Sequence, residues 1–360
     1  MVMLTSALLP LALAALAQAA PSGGRGDNES RGGKVVGVQA HRGGLGLRPE
    51  STLPAFAYAL EIGSNVLEMD TVFTKDGIPV IWHDHQISAA KCKDTATSGE
   101  NFPYVGKFIA NLTLAQVKTL DCGSQQLPNH KQAKLYPGAE IPTLEEVLEL
   151  VHCYGDEKVE INLETKIDPL APNETLPVEK YITDLIPILK KHDLAERTFI
   201  QSFDWRTLIG IKEKFPETQT VALLDPSTIT PEADGSYPWL GGLDLNDFDS
   251  DFVKAAKSIG SVVVSPVHGV PSSSSVNTPG YVPFVTKDLV NRAHAEGMKL
   301  IPWTVDDEST IGKLLDDGVD EIISNYPERV LFVGRDRGYK VGLKPRAEKK
   351  QCLKNAADQL

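Results

Sequence analysis

The stretch Gln39-Ala-His-Arg-Gly-Gly-Leu-Gly-Leu-Arg-Pro-Glu-Ser-Thr-Leu-Pro-Ala-Phe56 decides how the chain is read. Before it, Lys34 to Gln39 is a short β-branched run that delivers His41 and Arg42 to the point where a strand must stop, at Gly43 and Gly44. After it, Thr52 to Leu60 reads as a helix: Ser51 or Thr52 can cap it, and Phe56, Ala59 and Leu60 share a face. Strand, polar tip, glycine turn and helix form one β/α unit whose tip carries reactive side chains.

The same unit recurs along the chain. Val66-Leu-Glu-Met-Asp-Thr-Val-Phe73 alternates with strand period, so Glu68 and Asp70 face one side and Leu67 and Met69 the other. Lys75-Asp76-Gly77 is a hairpin-type turn, from which Ile78 to Trp82 returns as a short strand ending in His83-Asp84-His85. Residues 86–140, rich in Lys, Asp, Thr, Gly and Pro with little periodicity, read as an insertion after the second strand. Thr143 then caps a helix with acidic residues in its first turn. Lys158 to Lys166 alternates strictly, placing Glu160, Asn162, Glu164 and Lys166 on one face.

Helices at 177–193, 204–215, 251–259, 286–297 and 307–317 alternate with strands at 198–203, 219–224, 261–265, 299–305 and 320–324, before a last helix from Pro327. Strands at Val35, Leu67, Val159, Phe199, Val221, Val262, Leu300 and Ile322 make eight. This order predicts an α/β fold, a single (β/α)8 TIM barrel over residues 34–336, followed by a C-terminal tail at 337–360. An open dinucleotide-binding sheet is disfavoured, because no Gly-x-Gly-x-x-Gly turn follows the first strand. The loops after Leu224 and Pro266 are expected to be mobile.

Leu4 to Leu16 is an apolar run followed by Ala17-Gln-Ala-Ala20, which predicts a signal peptide over residues 1–20, a flexible Gly-rich leader over 21–33 and a secreted product. No later segment is apolar enough to be a transmembrane span. Sequons at Asn28, Asn111 and Asn173 suit that route as glycosylation sites. A net charge of -12, with no long Lys/Arg stripe, opposes nucleic acid and anionic lipid surfaces as partners. Four cysteines, Cys92, Cys122, Cys153 and Cys352, allow three pairings. Barrel polarity selects Cys92 with Cys122 in the insertion at the catalytic end, and Cys153 with Cys352 at the opposite end.

Barrel enzymes carry their chemistry at the C-terminal strand ends. Those ends hold His41 and Arg42, then Glu68 and Asp70, then Glu164 and Lys166. Three converging carboxylates repel, so either they bind a cation or one is protonated; an all-oxygen set suits Mg2+, Ca2+ or Mn2+. Such a cation with Arg42 and Lys166 would neutralise a phosphate ester, and His41 and His83 could serve as acid and base. His85 and His268 are possible neighbours of the site, whereas His130, His152, His192 and His294 read as structural.

His41-Arg42-Gly43, Arg48-Pro49-Glu50, Glu68-x-Asp70, Asp76-Gly77, His83-Asp84 and Glu164-x-Lys166 resemble, in order, the motif series of the glycerophosphodiester phosphodiesterase family. Gln201-Ser-Phe203, Trp303-Thr-Val305 and Gly318-Val-Asp320 through Ser324-Asn-Tyr-Pro327 continue the resemblance. It implies a TIM-barrel hydrolase that uses one divalent cation, Mg2+ or Ca2+, to cleave glycerophosphodiesters to sn-glycerol 3-phosphate and an alcohol. By matching positions, Glu68, Asp70 and Glu164 would be the metal ligands, His41 and His83 the catalytic pair, and Arg42 and Lys166 the phosphate contacts. Glu50, Gln201 and Trp303 would be further substrate-site residues. The chain departs from the family pattern with Ser51 for the usual Asn, Ser324-Asn325 for Thr-Asp, and no recognisable Arg-Thr after His83-Asp84. A phospholipase D-like or sphingomyelinase D-like relative, forming a cyclic phosphate, is an alternative reading. So is a non-catalytic secreted protein on the same barrel.

Overall fold

A computed structural model describes residues 33–357. The expected signal peptide, the leader up to residue 32 and the sequon at Asn28 lie outside them. Eight strands follow one another around the barrel: β1 Val35–Ala40, β2 Val66–Phe73, β3 Glu160–Thr165, β4 Thr198–Ser202, β5 Gln219–Leu224, β6 Val263–Pro266, β7 Lys299–Leu300 and β8 Glu321–Ser324. All barrel pairings are parallel, in the spatial order β7-β6-β5-β4-β3-β2-β1-β8. The ends of that path meet through Asp320 N–H to Leu300 O at 3.1 Å and Ile323 N–H to Pro302 O at 3.1 Å.

Each strand is followed by a helix packed on the outside: α1 Leu53–Ile62, α2 Leu144–Tyr154, α3 Val178–Lys191, α4 Trp205–Lys214, α5 Phe252–Ser258, α6 Lys287–Ala295, α7 Glu308–Asp317 and α8 Pro327–Asp336. Leu67 and Met69 of β2 and Ile161 and Leu163 of β3 turn outward into one buried apolar layer with Phe56, Leu148 and Leu185 of the helices. Opposite alternation turns Glu68, Asp70, Asn162 and Glu164 into the lumen. Apolar lumen residues Val221, Val263, Ile301 and Ile323 fill the side formed by β5 to β8.

Several local expectations are corrected. β1 ends at Ala40, and His41–Gly43 form a 3-10 turn instead of a strand tip. Thr52 occupies the N-cap of α1 without capping it, because its hydroxyl donates back to Pro49 O at 2.8 Å. The seventh strand, expected over 299–305, is regular only over Lys299–Leu300, since Pro302 has no N–H to donate. Cys153 lies within the last turn of α2, not beyond it.

The insertion has its own core, in which Trp82, Ile87, Tyr104, Ile109, Leu112 and Val117 are buried together. Two-residue strands Lys93–Asp94 and Leu120–Asp121 pair within it, and Asn111 is exposed. The loop after β6 carries a short hairpin, Gly269–Val270 with Val282–Pro283. The tail adds a strand, Lys340–Val341, beside β1 and a helix, Lys350–Ala357, against α1 and α2. Among the described residues no helix is long and apolar enough to cross a membrane.

Cys92 is bonded to Cys122 and Cys153 to Cys352, as barrel polarity selects. The second bridge closes a sequence separation of 199 residues, so it removes much unfolded-state freedom. Replacing both Cys153 and Cys352 by Ser is expected to cost about 2–5 kcal/mol of stability. Because this bridge lies at the end of the barrel away from the strand tips, turnover per folded molecule should be unchanged. Thermal unfolding and single-temperature turnover of the double variant check both parts.

Candidate active site

The site is built on the turn after β1. Arg42 takes φ 51, a left-handed conformation that lets its backbone N–H donate to Glu68 Oε2 at 2.9 Å. Gly43 follows at φ 79, and a Cβ there would stand 2.7 Å from the backbone carbonyl carbon of Ala55. Only glycine allows this turn to sit on the start of α1. The His41-Arg42-Gly43 motif thus joins two side chains and one backbone donor to the carboxylates of the neighbouring strand.

Asp70 and Glu164 are directly opposite in the β2–β3 register, with Glu68 one step lower on the same face. Potential ligand oxygens of Glu68, Asp70 and Glu164 all lie within 4.8 Å of one another. Their exposures are 2%, 0% and 7%, so the charges have lost most of their hydration. Arg42 Nε is 3.3 Å from Asp70 Oδ2, and its Nη1 is 3.2 Å from Glu50 Oε1. Lys166 Nζ is 2.6 Å from Glu164 Oε1 and 3.8 Å from Asp70 Oδ1.

Burial and then Asp70 and Glu164 push the Glu68 carboxyl well above the usual range. Burial followed by Asp70 pushes Glu164 up to about 7, against the pull of Lys166. Asp70 goes the other way: burial opposes its charge, but Arg42, His83 and Lys166 together hold it below the ordinary carboxylate range. Both Asp70 oxygens are buried without a hydrogen-bond donor. An ionised carboxylate with two unfilled oxygens, flanked by two further carboxylates, fits a hard divalent cation.

Each histidine is held through Nδ1. His41 Nδ1 is 2.5 Å from Asn325 Oδ1, while the Asn325 amide nitrogen donates to Asp306 Oδ2 at 2.7 Å. With the amide so oriented, His41 donates from Nδ1 and its Nε2, 3.9 Å from Glu68 Oε2, is the free base. Burial, then Arg42, lowers His41 to about 4. His83 Nδ1 is 2.8 Å from Asp84 Oδ1, and burial, Lys166 and Arg42 lower it as well. Asp84 Oδ2 meets Lys91 Nζ at 2.7 Å, and Lys91 reaches Glu50 Oε1 at 2.8 Å.

Glu50 therefore enters the site as the acceptor of both Arg42 and Lys91. Gln201 lies under the carboxylates, donating to Glu68 Oε1 at 2.7 Å. The Trp303 indole donates to Ser265 O at 2.9 Å and stands edge-on to Phe203 at 5.4 Å. His85 pairs with Glu174 at the edge of a cavity beside His83. His268 is held elsewhere, by Tyr281 and the Ser272 carbonyl. His130, read as structural, contacts the Tyr326 hydroxyl at 3.0 Å.

Lys91, Asp306 and the contact between Asn325 and His41 were not visible in the sequence. Asp306 did carry a usable signal, since it follows the Trp303-Thr-Val305 motif near the tip of the seventh strand. Lys91 carried none, lying in an aperiodic insertion.

Gly43→Ala is expected to destabilise the protein by about 1–3 kcal/mol, because a side chain at this φ is strained and also clashes. By displacing the Arg42 N–H from Glu68 it should lower turnover about tenfold or more. Denaturant unfolding and steady-state turnover measure the two effects.

Glu164 titrates near 7 in the folded chain against 4.5 for the free side chain. Between these values the folded chain holds a proton that the unfolded chain has released, so stability falls as pH rises through the window. His41 and His83, both lowered, act in the opposite sense, so the test is the difference between two proteins: in chelator, the melting temperature of Glu164→Gln should fall less, or rise more, from pH 5 to pH 7 than that of the parent chain. Equal slopes in the two proteins would contradict the assignment.

Comparison with known proteins agrees with this arrangement. The profile of the glycerophosphoryl diester phosphodiesterase family matches residues 41–329. A glycerophosphodiester phosphodiesterase of Caldanaerobacter subterraneus subsp. tengcongensis is 29% identical over 84% of this chain and 98% of its own length. One from Bacillus subtilis is 28% identical over 83% and 86%. Among solved structures, an Oleispira antarctica phosphodiesterase in complex with the product sn-glycerol-3-phosphate superimposes with a TM-score of 0.59 and 26% identity, over 83% of this chain and 96% of that one. A protein from Silicibacter pomeroyi DSS-3 gives a TM-score of 0.68 and 27% identity, over 86% and 97%. The chain belongs to the glycerophosphoryl diester phosphodiesterase family and is, with it, a phosphoric diester hydrolase.

Proposed function

We propose that the protein is a secreted, divalent-metal-dependent phosphodiesterase that hydrolyses glycerophosphodiesters to sn-glycerol 3-phosphate and an alcohol by histidine acid–base catalysis. The observation that carries this reading is the pair of histidines, each tied at Nδ1, beside a carboxylate triad in which Asp70 keeps two unfilled oxygens. Glu68, Asp70 and Glu164 would hold one Mg2+ or Ca2+, which when bound supplies positive charge to a phosphate oxygen.

Arg42 and Lys166 flank the triad and keep their protons, because burial, which works against both cations, is outweighed by the surrounding carboxylates. They orient and neutralise the anionic diester. His41, neutral far below pH 7, takes the proton from the attacking oxygen at Nε2. His83 gives a proton to the departing alcohol oxygen; a phosphate anion beside it offsets the cations that depress its basicity. Asp84 and Asn325 hold the two rings in place.

Hydrolysis of glycerophosphocholine is expected to stop in chelator and to return on adding a divalent cation. His41→Ala or His83→Ala should each lower turnover by roughly a hundredfold or more while the fold persists. Full activity after exhaustive chelation would remove the metal from the reading, and a cyclic phosphate seen by phosphorus NMR would favour the sphingomyelinase D-like alternative. Export is tested separately, since a secreted product should begin near residue 21.

A further inference from the structure

The chain ends of β7, β8 and β1 lie side by side at the barrel mouth. Ala40 is the register partner of Ser324, which sets His41 beside Asn325. Val305 N–H donates to Ile323 O at 2.9 Å, which sets Asp306 beside Ser324. Asp306, Asn325 and His41, far apart in sequence, thus form a row. Arg329 fixes its outer end: Nη1 donates to the Asp306 backbone oxygen at 2.8 Å, and the guanidinium lies 3.8 Å from the centre of the Tyr326 ring.

Asn325 has two chemically different ends, and the end that meets His41 decides what the imidazole can do. If the amide oxygen meets Nδ1, the ring proton sits there and Nε2 keeps a free lone pair. If the NH2 meets Nδ1, the two ring nitrogens exchange roles. The 2.5 Å contact with His41 does not by itself choose between them. The choice comes from the other side of the amide. The Asp306 carboxylate accepts at Oδ1 from the Asn325 backbone N–H at 2.9 Å and the Ser324 hydroxyl at 3.1 Å, and at Oδ2 from the Asn325 amide nitrogen at 2.7 Å. A carboxylate has no proton to give, so it takes the NH2 end and leaves the oxygen for His41. The family pattern has Asp where Asn325 stands. An aspartate could meet His41 with either oxygen, whereas an amide needs a neighbour to orient it.

We propose that Asp306 is a positioning residue of the active site, which acts through Asn325 to keep the His41 ring proton on Nδ1 and leave Nε2 as the base. The proposal rests on the histidine acid–base reading above and adds the residue that sets the tautomer. It carries an exchange rule: the pair works as one carboxylate and one amide in either order, but not as two of a kind. With Asp306→Asn, the new amide keeps its oxygen on the Ser324 and Asn325 donors and turns its NH2 towards the Asn325 side chain, which flips and presents NH2 to His41. With Asn325→Asp alone, two carboxylates face each other across the 2.7 Å contact. With both changes, the new carboxylate accepts from His41 and from the new amide, and the row is satisfied again.

The test measures turnover of glycerophosphocholine by the wild type, the two single variants and the double variant. Each single change should lower kcat by about a hundredfold with KM nearly unchanged, because a base is lost and not a binding group. The double variant should return to within about tenfold of wild type, a rescue that a merely structural role would not produce. Nitrogen NMR of histidine-labelled protein should show wild-type His41 protonated at Nδ1, and Asp306→Asn should move that proton to Nε2. The tautomer is read in the wild type, so the test holds even where a variant does not fold; a wild-type ring protonated at Nε2 would overturn the proposal. His41→Ala, measured alongside, separates the two readings. If it abolishes turnover, an unchanged kcat in Asp306→Asn or an unrescued double variant overturns only the role of Asp306. If it keeps turnover, the acid–base reading itself falls.

Discussion

Three carboxylates buried within 4.8 Å of one another are the constraint to which the catalytic end of the barrel answers. Two like charges about 4 Å apart repel by about 4 kcal/mol at the effective dielectric of a protein site. A fold cannot carry three such charges without local compensation. Arg42 and Lys166 supply it from the flanks, while burial, and then the neighbouring carboxylates, raises Glu68 and Glu164. A further positive charge at this spot would favour their ionised forms, and positive charge is also what an anion-cleaving site requires.

Compensation reaches well into the insertion. His83, Asp84, Lys91, Glu50, Arg42 and Asp70 form a chain of alternating partners running around the site. Lys91 is its only member from the insertion, and the next residue is Cys92, buried and bonded to Cys122. The disulfide therefore holds in place the backbone that carries a site cation. Without Lys91, Glu50 and Asp84 would each lose an ion-pair partner.

The parts legible in the sequence were those governed by period. Alternation in Val66–Phe73 and Lys158–Lys166 was enough to put Glu68, Asp70 and Glu164 on one face, and strand polarity put that face at the catalytic end. The cysteine pairing followed from the same polarity. What stayed hidden depended on contacts between distant, aperiodic segments. Asn325 and His41 lie 284 residues apart, and neither position announces the other. The failed cap at Thr52 had a local cause, since the Pro49 carbonyl takes its hydroxyl, and Pro302 cut short a strand whose hydrophobic pattern continues.

Beneath the carboxylates the lumen holds a line of amides with a sense of direction. Gln39 donates to Glu321 at 2.8 Å; Asn162 donates to Gln39 at 2.9 Å and to Gln201 at 3.0 Å; Gln201 donates to Glu68. Each glutamine passes polarity along unchanged, accepting through oxygen and giving through nitrogen. Asn162 reverses it, sending one N–H each way, and only this reversal lets the line end in a carboxylate at both the floor and the mouth of the barrel. An Asn162→Asp chain would lose both donors at the turning point and set its carboxylate against two amide carbonyls. The glutamines could then be satisfied only by flipping, which would aim the Gln201 oxygen at Glu68. Asn162 touches none of the proposed catalytic groups, yet it decides that Glu68 Oε1 is spoken for from below and that Oε2 faces the Arg42 N–H and His41.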